Sequence, residues 1–163
     1  NILMDTFSHA FWGRGLFGYR GHPWLALFFG AAPDLFSFGL FMFVQIITLQ
    51  FSLEPGPPSL GSLPWWVFVN YDLMHSFISA FTTIGIISLY RKDLAFAMLG
   101  WPFHIVLDFP FHTREFFPTK IFWPFSNFTI DGISWARPEV WFPNLAGLII
   151  LYFYRRGKKT GKT

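Results

Sequence analysis

The chain has no cysteine, which excludes disulfides and thiolate metal sites alike. Charge is scarce: only 13% of its 163 residues are Asp, Glu, Lys or Arg, against roughly a quarter in ordinary soluble domains. Missing too are the G-x-S-x-G elbow, the Walker A loop and the H-E-x-x-H helix, so serine-hydrolase, P-loop and zincin chemistry lack their motifs. Asp5 and His9 interrupt the N-terminus and no basic n-region precedes them, so no cleavable signal peptide is expected. What the chain has in excess is apolar surface: 53% hydrophobic residues, including 24 Phe and 8 Trp. A water-soluble core of this length cannot hide so much. The composition predicts an all-α integral membrane bundle.

Four apolar stretches carry that prediction: 24–51, 65–90, 94–109 and 140–154. As helices they would run roughly 42, 39, 24 and 22 Å, against a hydrocarbon core of about 30 Å. Pro33 is expected to break or kink the first, and Pro102 and Pro143 the third and fourth. The chain reads as one membrane-embedded domain. Residues 1–23 form an interfacial segment, 24–109 and 140–154 hold the spans, 110–139 is an interfacial loop, and 155–163 is a basic tail. Within 1–23, Asp5 to Trp12 reads as a short amphipathic helix with Asp5 or Thr6 as its N-cap. Residues 54–64, rich in Pro and Gly, are a loop, and Arg91-Lys92-Asp93 is a tight polar turn with Asp93 capping the third span.

The basic residues predict the orientation. Arg14 and Arg20 precede the first span, Arg91 and Lys92 lie between the second and third, and five Lys or Arg follow the fourth. All three places fall on one side, so both termini are expected in the cytoplasm. The tail reads as a membrane-side marker, and nucleic acid is not expected as a partner. Homo-oligomerisation stays open. Gly13-Arg-Gly15-Leu-Phe-Gly18 matches the dinucleotide fingerprint by pattern alone, with no strand before it.

Ionisable residues inside apolar sequence are expensive, about 2.5–3.5 kcal/mol each near a bilayer centre. His104 and Asp108 stand i, i+4 and Asp72 and His75 stand i, i+3, so each pair shares a helix face. His75 and Asp108 are equally far from the Arg91-Lys92 turn, which puts them at one depth in an antiparallel hairpin. Two imidazoles and two carboxylates then converge, the ligand set for Zn²⁺ or a pair of divalent ions. A hydrogen-bonded packing pair is the plain alternative for His104 and Asp108. Asp34 follows Pro33, where irregular backbone would line a cavity, but the same arithmetic leaves it roughly 10 Å from the level of His75. His9 could fold over the site or stay interfacial. His112, beyond Pro110, is open between ligand, substrate contact and solvated side chain, and His22 reads as structural.

Met4-Asp5-Thr6-Phe7-Ser8-His9-Ala10, Ala32-Pro33-Asp34, Tyr71-Asp72-Leu73-Met74-His75-Ser76 and His104-Ile-Val-Leu-Asp108-Phe-Pro-Phe-His112-Thr113 together resemble the motif set of small prokaryotic membrane-bound predicted metal-dependent hydrolases. Phe116-Phe117-Pro118-Thr119, Trp123-Pro124-Phe125-Ser126 and Asp131-Gly132-Ile133-Ser134-Trp135 resemble one branch of them. The resemblance implies metal positions at His9, Asp34, His75, His104 and Asp108, and a place in a prokaryotic inner membrane. Many relatives carry a further His where this chain has Asn70, which leaves Asp72 as the second group there. The expected function is hydrolysis of an ester or phosphoester in a lipid-like substrate, with one or two ions, zinc first. Asp72 would accept the water's proton or orient His75, and His112 and Arg114 would bind a phosphate headgroup. The rival expectation is a non-enzymatic path for protons or metal ions through the same His and Asp residues.

Overall fold

The computed structural model describes residues 2–50, 60–115 and 117–160. Among them every regular element is helical: α1 (Ile2–Phe17), α2 (Pro23–Asp34), α3 (Leu40–Ile47), α4 (Trp65–Met74), α5 (Phe77–Tyr90), α6 (Lys92–Met98), α7 (Gly100–Asp108) and α8 (Pro138–Thr160). The all-α expectation holds. Of the four expected spans, only the run Pro23–Ile47 is a single helix long and apolar enough to cross a membrane. Trp65–Met74 and Phe77–Tyr90, bent by 57° at their junction, would make a second if taken as one broken span. The third stretch is split into α6 and α7, with the break just before Pro102. The expected loop at 54–64 falls largely outside the described residues, apart from a 3₁₀ turn at Leu60–Ser62.

Pro33 does not break its helix. α2 continues through it into a π-helical turn, Leu35–Gly39, and on into α3. A wider turn accommodates a residue that lacks a backbone donor. The Ser37 hydroxyl donates to Pro33 O at 2.7 Å and lies 3.3 Å from Asp34 O, so the carbonyls beside the turn are satisfied.

The N-terminal segment is more than an interfacial cap. α1 begins at Ile2, so neither Asp5 nor Thr6 is its N-cap, and it packs along α2, α7 and α8. Small residues let it approach closely. A Cβ on Gly13 would lie 2.5 Å from Ala26 O, and one on Gly30 would meet the backbone of His9 and Ala10. α8 is tied to α1 by side chains: Trp12 Nε1 donates to Asn144 Oδ1 at 2.7 Å, and Asn144 Nδ2 donates to Ser8 Oγ at 2.6 Å. Arg155 donates through Nε to Gly15 O at 2.9 Å, closing an orphan carbonyl at the end of α1.

The break between α4 and α5 falls at His75-Ser76 and is stitched by distant groups. Trp101 Nε1 donates to Met74 O at 2.6 Å, Phe77 N to Ile121 O at 2.9 Å, and the Ser76 hydroxyl to Trp123 O at 2.6 Å. Ser76 Oγ also accepts from Ile78 N, capping α5. Residues 117–123 of the long loop thus replace the helical bonds lost at the break. Two hydrophobic clusters lie beside it, one with Phe38, Tyr71 and Phe117 and one with Trp101, Ile105 and Ile121.

At one end of the bundle the basic residues gather. Arg20 lies over the Phe96 ring at 4.1 Å, Arg155 over Tyr19 at 4.0 Å, and His22 Nε2 sits 2.8 Å from Asp93 Oδ2. Asp93 stands inside the first turn of α6, with Arg91 at the N-cap. Hydrogen bonds from Arg91, then from His22, hold its carboxyl well below the usual range.

Candidate metal centre

α2, the α4–α5 break and α7 each deliver a ligand-type side chain to one buried point. His75 and His104 are fully buried and Asp108 is 1% exposed. Asp108 Oδ2 lies 3.1 Å from His75 Nε2 and 3.0 Å from His104 Nε2. The two Nε2 atoms are 3.2 Å apart. Asp34 Oδ1 lies 3.7 Å from His75 Nε2 and 3.6 Å from His104 Nε2. All four ligand atoms fall within 4.8 Å of one another. Around a tetrahedral cation with bonds of about 2.0–2.1 Å, neighbouring ligand atoms stand about 3.3 Å apart. The observed spacings bracket that value.

Their alignment matters as much as their spacing. Both Asp108 oxygens are buried with no hydrogen-bond partner, despite the imidazole nitrogens around them. An orphaned buried polar group costs about 1–3 kcal/mol. A well-made packing pair would satisfy both oxygens, so the geometry weighs towards a ligand role for His104 and Asp108. The four ligand atoms face a common centre, and the donor set fits a divalent cation.

The supporting shell has the same logic. His75 Nδ1 is 3.0 Å from Tyr71 O and His104 Nδ1 is 2.7 Å from Gly30 O. A proton on each Nδ1 makes it the donor and leaves Nε2 with a free lone pair facing inward. Tyr71 stacks on the His75 ring at 3.8 Å. The Thr6 hydroxyl donates to Asp34 Oδ2 at 2.6 Å, turning Oδ1 towards the histidines. Thr6 was expected only as a possible N-cap, and no role at the site was expected for Tyr71 or Gly30. Thr6 stands i, i+3 from His9 and Tyr71 stands i, i+4 from His75, so helical spacing held a signal for both. Gly30 acts through its carbonyl, which no sequence pattern marks.

Other expected residues take different places. Asp72 faces the loop, where Lys120 Nζ donates to its Oδ2 at 2.6 Å; Tyr71 O, not Asp72, orients His75. Arg114 is exposed, and its backbone amide donates to Asp131 Oδ1 at 2.9 Å. His9 is 1% exposed, with its Nε2 3.6 Å from Asp108 Oδ1 and its ring 4.3 Å from that of His104. His112 places Nε2 3.5 Å from Asp108 Oδ1. Burial disfavours a charged His112, but the Asp108 carboxylate outweighs it and pushes the pKa up to about 9, so a cation taking Nε2 as a ligand would have to displace that proton.

No family model, curated protein or solved structure matches the chain.

Beside the buried histidines and aspartates runs an apolar cleft of ≈ 630 Å³, lined by Leu107, Phe111, Ile133, Trp135 and Val140, with Arg137 and Glu139 at its edge. Trp135 packs edge-on against His9 at 5.1 Å and tilted against Phe111 at 4.7 Å. Its buried Nε1 has no hydrogen-bond partner. The cleft thus ends one ring from the ligand cluster.

Proposed function

We propose that this chain is a membrane-embedded, metal-dependent hydrolase acting on an ester or phosphoester of a lipid-like substrate. One observation carries the reading: Asp34, His75, His104 and Asp108 bring four buried ligand atoms within 4.8 Å of one another. A divalent ion held there, zinc first, would lower the pKa of water towards neutrality and polarise the scissile group. The chain's own residues supply the rest. Asp34 is the ligand carboxylate with an exposed edge, 10% against 1% for Asp108, so proton acceptance falls to Asp34 rather than to Asp72. Trp135 Nε1, at the inner end of the cleft, is free to donate to a substrate oxygen. The cleft itself has the size and apolar lining for an acyl chain.

The surface supports the membrane setting. Phe43, Ile47, Leu89, Ile150 and Phe153 are each more than half exposed, while the histidines and aspartates of the site are buried. Exposed apolar residues around a polar interior suit lipid as the solvent. The gathering of Arg20, Arg91 and Arg155 at one end supports an inner-membrane orientation with both termini cytoplasmic.

The test is a screen of lipid phosphoesters and esters with purified protein in detergent, with and without added zinc. Metal-dependent turnover that is lost in His104→Ala is expected. Metal flux through reconstituted liposomes with no turnover of any lipid ester would replace the hydrolase with the conducting role.

A further inference from the structure

The four-residue cluster uses only one oxygen of Asp108. Oδ2 faces His75 and His104, at 3.1 and 3.0 Å. Oδ1 faces two other imidazoles, His9 Nε2 at 3.6 Å and His112 Nε2 at 3.5 Å. These contacts are about 0.5 Å longer than those on the first side of the carboxylate, leaving room for a cation between them. His9 is fully buried, and both of its ring nitrogens lack a hydrogen-bond partner, as does Oδ1 itself. Nothing else among the described residues explains why a second pair of imidazoles should crowd this oxygen.

His112 is also set up in the manner of His75 and His104. Its Nδ1 lies 3.0 Å from both Phe117 O and the Tyr71 hydroxyl, and a proton on Nδ1 leaves Nε2 to face the site. The Tyr71 hydroxyl braces the same point, donating to Phe117 O at 3.0 Å and lying 3.0 Å from Thr119 Oγ1. Phe117 holds a φ of 52° there, in the left-handed region that an aromatic residue rarely adopts. Strain of this kind persists where the surroundings over-determine it, and such places cluster at functional sites. These contacts hold the loop where His112 Nε2 lies 3.5 Å from Asp108 Oδ1.

We infer that His9, His112 and Asp108 Oδ1 hold a second divalent cation, joined to the first through the Asp108 carboxylate. The inference rests on the reading of Asp34, His75, His104 and Asp108 as a metal site. Three protein ligands with a side left open is the pattern of a catalytic rather than a structural position. The open side is that of His112, which is 14% exposed while His9 is fully buried. Paired divalent ions suit in-line displacement at phosphorus, where attacking and leaving oxygens both need charge stabilisation. The substrate class narrows accordingly, from esters in general to phosphoesters.

The experiment is elemental analysis of the full chain, purified in detergent, loaded with Zn²⁺ and freed of excess by gel filtration. The wild type should carry two zinc ions per chain, and His112→Ala one. His9→Gln, which keeps a polar side chain in the buried position, should also carry one. One zinc in the wild type, kept in His112→Ala and lost in His104→Ala, would overturn the second position and leave the first standing. No zinc in the wild type would overturn both. Two zinc ions retained in His112→Ala would place the second elsewhere and overturn the assignment. A measurement without mutation stands beside it: wild type loaded with Mn²⁺ should give the resonance spectrum of an exchange-coupled pair. The six-line signal of isolated ions at full loading would refute the shared carboxylate.

Discussion

Gly13→Ala places one methyl group where α1 and α2 cross, and its consequence can be worked from distances. The new Cβ would stand 2.5 Å from Ala26 O and 3.1 Å from Gly30 Cα, both backbone atoms that cannot rotate away. Relief to an ordinary contact of 3.4 Å requires about 0.9 Å of separation between the helices. Overpacking of this kind costs about 1–3 kcal/mol, offset by the 0.5–1 kcal/mol or so that Ala gains over Gly within a helix. The larger effect should fall on the site. Thr6 on α1 holds Asp34 on α2 through a bond of 2.6 Å, which the same displacement would stretch to the limit of a hydrogen bond. Loss of a partner that orients a ligand typically lowers metal affinity about 10–100-fold. Chelator competition with Zn²⁺ reads the affinity, and thermal unfolding in detergent reads the fold. Gly85→Ala is the control, because a Cβ there meets nothing within 4 Å; it should leave zinc affinity unchanged and raise stability slightly. If Gly13→Ala binds zinc as tightly as wild type, the close crossing of α1 and α2 does not position the site.

Thr6→Val keeps the shape of the side chain and removes the donor to Asp34 Oδ2, so zinc affinity should fall about 10–100-fold with the helical circular dichroism unchanged. Asp72→Asn should leave the zinc stoichiometry as it is, because that carboxylate is engaged by Lys120. Its effect on unfolding should stay within about 1 kcal/mol, as for other partly exposed ion pairs. Asp93 has a carboxyl held below its ordinary range by Arg91 and His22, so its contribution to stability is full above the unfolded pKa of about 3.9 and fades as pH falls below it. Asp93→Asn should flatten that part of the stability profile, measured by unfolding from pH 6 downwards, and leave zinc binding at pH 7 untouched.

The pairing of His75 with Asp108 was legible because both stand equally far from one tight turn, and a hairpin of helices converts equal distance along the chain into equal depth. The structure closes that pair to 3.1 Å. Asp34 was harder, since straight helices leave it well away from His75. The missing distance comes from the break at His75-Ser76 and its 57° bend. No Pro or Gly marks that break. It exists because Trp101, Ile121 and Trp123, all far along the chain, satisfy the backbone groups it frees, and such partners have no local signature. Pro33 misleads in the opposite sense, since a π turn absorbs it. His9 stayed open between the site and the interface, because a short amphipathic helix suits either place. It is buried because Gly13 and Gly30 let α1 lie against α2, and close approach between backbones is a property of the pair, not of either segment.

The buried histidines and aspartates are placed to hold a divalent metal ion. Elemental analysis of wild type, His104→Ala and Asp108→Ala, purified side by side without added chelator, tests that role most directly. Divalent metal at one or more ions per chain in the wild type, falling below stoichiometry in both variants, is the predicted result. Equal trace metal in all three would contradict it.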